Sequence, residues 1–252
     1  MEDYNLRQIC LSLRKVGLEK NDVVFCHSNL GFFGNLKNIT NKSDLCEKFF
    51  NEIFKIIGRK GTLIVPTFSY SYFNNKAFDS NKTPGLRMGI FSEWIRLNKK
   101  SKRSNDPNFS VSAIGNLSKE FIKLEGNVNK NTYSENSFFA KLHYHNGKIL
   151  NFNFPGTTII HYYEKLLNTP YRFDKKFHGK TNGKDETWTV FSRRISGKKN
   201  YHNPHKLMGL LRRKKDKNFS ILGKGEIFLM PSKQLFSFIK KEYKINKSLL
   251  IY

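Results

Sequence analysis

The sequence predicts a layered α/β domain, and three observations carry that prediction. Helical and strand patterns alternate through the first 68 residues, the order expected when helices cover a sheet. One segment, residues 61–68 (GTLIVPTF), is almost continuously apolar, as in strands buried on both faces. Hydrophobic residues make up 38% of the 252, with 23 Phe among them, which is enough apolar side chain to build a sizeable core.

Taken in order, residues 1–18 place Leu6, Ile9, Cys10, Leu13 and Val16 at helical spacing, with Gly17 as a C-cap. Residues 22–30 (DVVFCHSNL) read as a short apolar strand running into a polar turn. Residues 43–58 form an amphipathic helix with Ser43 as N-cap, Glu47 closing toward a capping box and Gly58 as C-cap. The apolar strand 61–68 follows. Residues 69–89 make a long loop with turn chemistry at Thr83-Pro84-Gly85. Its length, and the embedded Tyr70, Tyr72, Phe73 and Phe78, mark it as functional. A helix at 90–98, a basic loop from 102, a strand at 110–114 and a helix near 117–124 come next. Residues 133–137 then lead to a helical turn, and Gly147-Lys148 delivers the chain to residues 150–166, LNFNFPGTTIIHYYEKL. That stretch reads as strand, Pro155-Gly156 turn and short helix. Residues 171–218, rich in Lys, Asn, Gly and His, show one alternating strand at 187–195 and read as a β-excursion with loops. A strand at 225–229 and a helix at 231–243, with Pro231 near its first turn, complete the pattern. No repeat or long linker divides the chain, so the expectation is one domain over residues 1–252 with a variable excursion around 171–218.

The net charge of +25 and pI near 10.0 raise nucleic acid as a partner, but the cations are spread along the chain. Only Arg212-Arg213-Lys214-Lys215 clusters tightly, and it reads as a solvated loop. The charge favours an anionic ligand: phosphates on a cofactor, a nucleotide-linked substrate or a glycolipid. A non-catalytic nucleic-acid-binding protein stays in view, with steep salt dependence as its signature. No run of about 18 apolar residues and no signal-peptide core is present, so the expectation is a cytoplasmic protein without membrane insertion. Cys10, Cys26 and Cys46 have no CxxC spacing, which fits a reducing compartment and argues against zinc. Cys26 beside His27 suggests an acyl-cysteine, yet neighbours on a strand point to opposite faces. Cys26 therefore reads as a core thiol.

His161 and Glu164, three residues apart, share one face of the short helix. Spacing alone leaves two readings open, a proton-transfer pair or ordinary helix decoration. A metal site adding His143 or His145 lacks a third ligand.

Six blocks, in order, resemble the aminoglycoside 3-N-acetyltransferase family. VVFCHSNLGFFG (23–34) is similar to its VHSSL-x-x-x-G turn, and KGTLIVPTFSYS (60–71) to its GTLVMPTFT strand. FDSNKTPGLRMGIFSEWIR (78–96) and RSNDPNFSVSAIG (103–115) match its FDPxxTPSxMG and RSxHPxxSVAAxG blocks. The loop 133–152 and TTIIHYYE (157–164) complete the series. The resemblance implies a layered α/β/α domain with a central mixed sheet, acetyl-coenzyme A as co-substrate, an amine acceptor and no metal. It implies His161 as general base with Glu164 fixing its tautomer, and Ser110 contacting the thioester. It implies a coenzyme-binding turn at His27, Ser28, Asn29 and Leu30, with Arg103 as a phosphate partner. The acceptor would meet Tyr70, Tyr72, Phe73 and Phe78, together with Asp106, which stands where the family has His. Asn151 and Asn153 replace glycines of the family pattern, which reshapes the acceptor pocket. With 20 acidic against 45 basic residues, the expected acceptor is an amino sugar, nucleotide-linked and destined for a surface polysaccharide. The alternative is an aminoglycoside itself. The protein is expected as a monomer or homodimer.

Overall fold

The computed structural model describes residues 3–123, 130–194 and 201–252. The chain opens with the two-residue strand β1 (Asp3–Tyr4) and helix α1 (Leu6–Lys15), then β2 (Val23–Ser28), β3 (Asn35–Leu36), α2 (Lys42–Ile57) and β4 (Thr62–Pro66). It continues through α3 (Gly89–Leu97), β5 (Lys102–Arg103), β6 (Val111–Gly115), α4 (Ser118–Ile122), α5 (Phe138–Tyr144), β7 (Lys148–Phe152) and α6 (Ile160–Leu166). The last part holds β8 (Arg172–Thr181), β9 (Lys184–Arg193), α7 (Pro204–Lys214), β10 (Phe219–Leu222), β11 (Gly225–Pro231) and α8 (Ser232–Ile245).

The seven-stranded sheet has the order β10-β11-β7-β2-β4-β6-β5. Its centre, β7-β2-β4, is parallel, and β11 and β6 run antiparallel on either side, so the sheet is mixed as expected. Alternation along β2 divides the core. Val24 and Cys26 pack with α1, α2 and α3, whereas Phe25 packs on the other side with α5, α6, α7 and α8. Cys26 is fully buried in the first of these layers, and burial pushes its thiol well above the ordinary range. It is an inert core thiol, as its position on the strand implied.

Helix α2 is capped differently from the expectation. Asn41, in extended conformation, accepts hydrogen bonds from the Ser43 and Asp44 amides. The helix therefore starts before Ser43, because the Asn side chain takes the first free donors. No helix among the described residues is long and apolar enough to cross a membrane.

The larger corrections lie in residues 171–218. Instead of one strand there is a ten-pair antiparallel hairpin, β8–β9, closed by Asn182-Gly183 with both residues at positive φ. Asn-Gly is the strongest short hairpin signal. The charged, largely exposed β8 sequence RFDKKFHGKT carries no alternating hydrophobicity to accompany it. The basic cluster is not a loop either, since Arg212, Arg213 and Lys214 form the last turn of α7. There the cations face the helix's partial negative end, and Arg212 and Lys214 pair with Glu226 and Glu242. Strand β10 was also hidden from the sequence pattern. The predicted extension of the strand to Ile195, and of the fourth helix to Leu124, falls outside the described residues.

Two asparagines hold the turn that leads to α6. Asn151 Nδ2 donates to the carbonyls of Phe154 and Gly156 at 3.1 and 2.8 Å. Asn153, at φ 51°, accepts from the Glu226 amide at 2.6 Å and donates to the Asn29 carbonyl at 3.2 Å. Asn tolerates this left-handed conformation where most residues do not. A Cβ on Gly225 would lie 2.1 Å from Asn153 Oδ1. Gly225→Ala should therefore cost about 1–3 kcal/mol by overpacking, measured by urea denaturation. Gly209→Ala, in open space on α7, should be neutral or gain about 1 kcal/mol from helix propensity.

Candidate active site

The C-terminal ends of β2 and β7 meet the turn before α6, and this places the His161–Glu164 face of the helix against the β8–β9 hairpin. His161 Nδ1 lies 2.7 Å from Glu164 Oε2. The Arg172 side chain, at the first position of β8, pairs with the same carboxylate oxygen. Glu164 is wholly buried. Burial alone would raise its pKa, but the imidazole of His161, then Arg172 and His202, overcome this and hold it below the ordinary carboxylate value. Glu164 is therefore ionised and accepts only, which keeps the proton of neutral His161 on Nδ1 and leaves a lone pair on Nε2. Burial first, and the Arg172 charge second, depress the His161 pKa, against the raising effect of Glu164. His161 is thus an unprotonated base at neutral pH.

His161 lines a cavity of about 600 Å³. Phe73, Phe109, Tyr133, Phe177 and Phe191 wall it, and Arg172, Lys175 and Arg193 supply cations. His202 stands perpendicular to His161 at 5.5 Å between ring centres, with burial driving its pKa down to about 4. Its Nδ1 lies 2.9 Å from the Leu250 carbonyl. The Tyr133 ring is edge-on to His161 at 6.2 Å. Its hydroxyl is buried with no hydrogen-bond partner among the described residues, and burial raises its pKa far above the ordinary value.

The other residues expected at the site fall into three groups. Ser110 and Arg103 form an internal strut. Ser110 is wholly buried and donates to the Thr67 carbonyl at 2.8 Å. The Arg103 guanidinium is spent on the Ser110 hydroxyl and on the carbonyls of Thr67, Ser80 and Thr83. It has no hand free for a phosphate. Asp106 likewise serves its own loop, accepting from the Asn108 and Phe109 amides and from Thr132 Oγ1. In the aromatic loop, Tyr72 and Phe78 are buried, and the Tyr72 hydroxyl is 2.8 Å from Thr181 Oγ1. Both anchor the loop to the hairpin, Phe78 through backbone bonds to Lys180 and Asn182. Tyr70 stacks on Phe73 at 6.0 Å, and of the four only Phe73 lines the cavity.

The turn 27–30 has a different character. His27 is stacked on Phe154 at 5.2 Å and is held neutral by burial, its pKa lowered to about 3. Among the described residues its Nδ1 and the hydroxyls of Ser28 and Thr157 are buried without partners, as is Asn151 Oδ1. Leu30 is buried and Asn29 exposed. Orphaned buried polar groups are rare in native proteins. A group of them at the C-terminal edge of a sheet suits an amide-bearing ligand such as a pantetheine arm. Among the described residues no cluster of His, Cys, Asp and Glu could hold a metal ion.

Sequence reasoning missed Arg172, Tyr133 and His202, and nothing in their spacing from His161 marks them. Removing Arg172 leaves the Glu164 charge without its cationic partner. Arg172→Ala should cost about 3–5 kcal/mol in urea denaturation, with Arg172→Lys recovering part of it. In the wild type, Glu164 stabilises the fold above its ordinary pKa, and that contribution is lost as pH falls through the depressed value. His161, also depressed, works in the same direction below 6.5. Stability should therefore fall on acidification, and more shallowly in Arg172→Ala.

Several solved structures share this fold. AAC-IIIb, solved with CoASH, aligns with a TM-score of 0.77 at 17% identity, covering 96% of this chain and 97% of its own. YokD from Bacillus subtilis aligns at 0.74 and 20% identity, covering 96% and 99%. AAC-VIa bound to sisomicin aligns at 0.76 and 18% identity, covering 96% and 98%. No curated protein matches the chain by sequence. A model of the family described as aminoglycoside 3-N-acetyltransferase matches residues 26–244, a span that takes in the turn 27–30, the His161–Glu164 pair and the hairpin. The chain belongs to the aminoglycoside 3-N-acetyltransferase family of acetyl-coenzyme A-dependent N-acetyltransferases.

Proposed function

We propose that the protein transfers the acetyl group of acetyl-coenzyme A directly to a sugar amine, with His161 as general base. The observation that carries this reading is the buried Glu164, which holds His161 by Nδ1 and leaves Nε2 as the basic nitrogen of a residue that lines the cavity. As the amine attacks the thioester carbonyl, Nε2 takes its proton. The carbon–sulfur bond then breaks, and the thiolate leaves with that proton returned from the imidazolium. The orphaned groups at His27, Ser28 and Thr157 are the proposed partners of the pantetheine arm. For the oxyanion we propose the Tyr133 hydroxyl, a buried donor with no other partner that keeps its proton at neutral pH.

His161→Ala should lower kcat about 10²–10⁴-fold while coenzyme A binding, followed by calorimetry, changes little. The wild-type kcat/KM should hold through the ordinary histidine value of 6.5 and fall only at lower pH, where the depressed His161 takes up its proton, with no such acid limb left in the variant. Tyr133→Phe should lower kcat on the order of 10²-fold and leave thermal stability equal or higher, since an unsatisfied hydroxyl is removed. An unchanged kcat in both variants would sink the mechanism.

Two acceptor classes fit a sugar amine. The similar structures favour an aminoglycoside, because sisomicin and gentamicin are bound in some of them. The net charge of +25 favours an amino sugar on a nucleotide carrier, a precursor of surface polysaccharide. Either acceptor suits a cytoplasmic enzyme, which the three unbridged cysteines also support.

A further inference from the structure

We infer that the groove in front of His161 reads an anionic carrier, and that the acceptor is a sugar amine borne on a nucleoside diphosphate. This rests on the proposed acetyl transfer and names its substrate. No Asp or Glu is among the described residues lining the groove. Of its three cations, Arg172 is neutralised by the buried Glu164. Lys175 and Arg193 have no carboxylate partner among the described residues. Lys175 lies over the Phe177 ring at 5.1 Å and Arg193 over Tyr201 at 3.7 Å, so aromatic faces hold both charges in place. Asp174, between them on the hairpin, is paired with Lys165 outside the groove. His161 and His202 are neutral, with pKa values lowered by burial. The net field of the groove is therefore positive.

A polycationic aminoglycoside entering this groove would lose hydration and meet no compensating carboxylate. A diphosphate meets two fixed cations. Arg193 sits opposite Arg172 across the hairpin, and Lys175 is three residues further along β8, roughly 10 Å at strand rise. Beside them, Phe73, Phe173 and Tyr201 are 38%, 37% and 46% exposed. Large aromatic side chains left in water and gathered at one site mark a ligand surface, and planar rings of this kind stack on a base. The carrier's phosphates fall to Lys175 and Arg193, its base to the aromatic rim, and the sugar amine to Nε2 of His161.

The test uses the full chain saturated with coenzyme A, so that the donor's own phosphates are already placed. UDP and dTDP titrated by calorimetry should bind, more weakly as salt rises. Charge reversal in Lys175→Glu or Arg193→Glu should weaken them about tenfold or more, the loss expected for a charge-assisted bond. In turnover, a UDP- or dTDP-linked amino sugar should be preferred to gentamicin. Both variants should raise its KM relative to that of acetyl-coenzyme A, with thermal stability unaltered. A rise confined to acetyl-coenzyme A would assign the groove to the donor and overturn the proposal. Turnover of gentamicin with no UDP binding would overturn it too. If UDP binds as stated but no amine of either class is acetylated, the acetyl-transfer reading falls and the carrier assignment stands.

Discussion

A single buried carboxylate carries the site. Glu164 is removed from water, where a lone negative charge would be untenable. It is kept ionised because an imidazole and a guanidinium share its Oε2. Each partner comes from a different part of the fold: His161 from one turn earlier on α6, and Arg172 from the start of the hairpin. The carboxylate thus ties the helix to the hairpin, and the cavity that His161 lines lies where the two meet. The same contact selects the His161 tautomer that can act as a base.

The rest of the architecture serves to bring that helix to the sheet edge. The parallel strands β2 and β7 end side by side, and ligands of open α/β sheets gather at such carboxyl ends. The turn between β7 and α6 is held by side-chain bonds from Asn151 and Asn153 to β7's own exit, to β11 and to Asn29 in the turn after β2. Substitutions that look in the sequence like a disrupted glycine motif are the clamps of the observed turn.

Much of the framework was legible before any coordinates. The alternation of helix and strand, the doubly buried β4 and the glycines that follow α1 and α2, Gly17 and Gly58, are local matters of propensity and burial, and the structure keeps them, with the α2 cap at Asn41 in place of Ser43. Strand β8 was not legible. Its residues are charged and carry little periodic hydrophobicity, and what orders them is non-local: Tyr72 packed on Gly179, Phe78 bonded to Lys180, and the pairing with β9, whose Trp188 is buried. Arg103, Asp106 and Ser110 illustrate the opposite case. Their chemistry suggests ligands, but their donors and acceptors are already consumed by neighbours that sequence distance conceals.

The sequence by itself determined a layered α/β fold, a strand–turn–helix with His and Glu on one face, and a strongly cationic chain. Those follow from periodicity, capping and composition, which act over a few residues. Only the tertiary structure decided that Glu164 is buried and shared with Arg172, and that Tyr133 and His202 surround the base. It also decided that two cations without a carboxylate partner among the described residues, and a shelf of exposed rings, line the same groove. These depend on where a long hairpin folds back onto a helix. Charge and hydrogen bonding act through space, and no spacing along the chain encodes that approach.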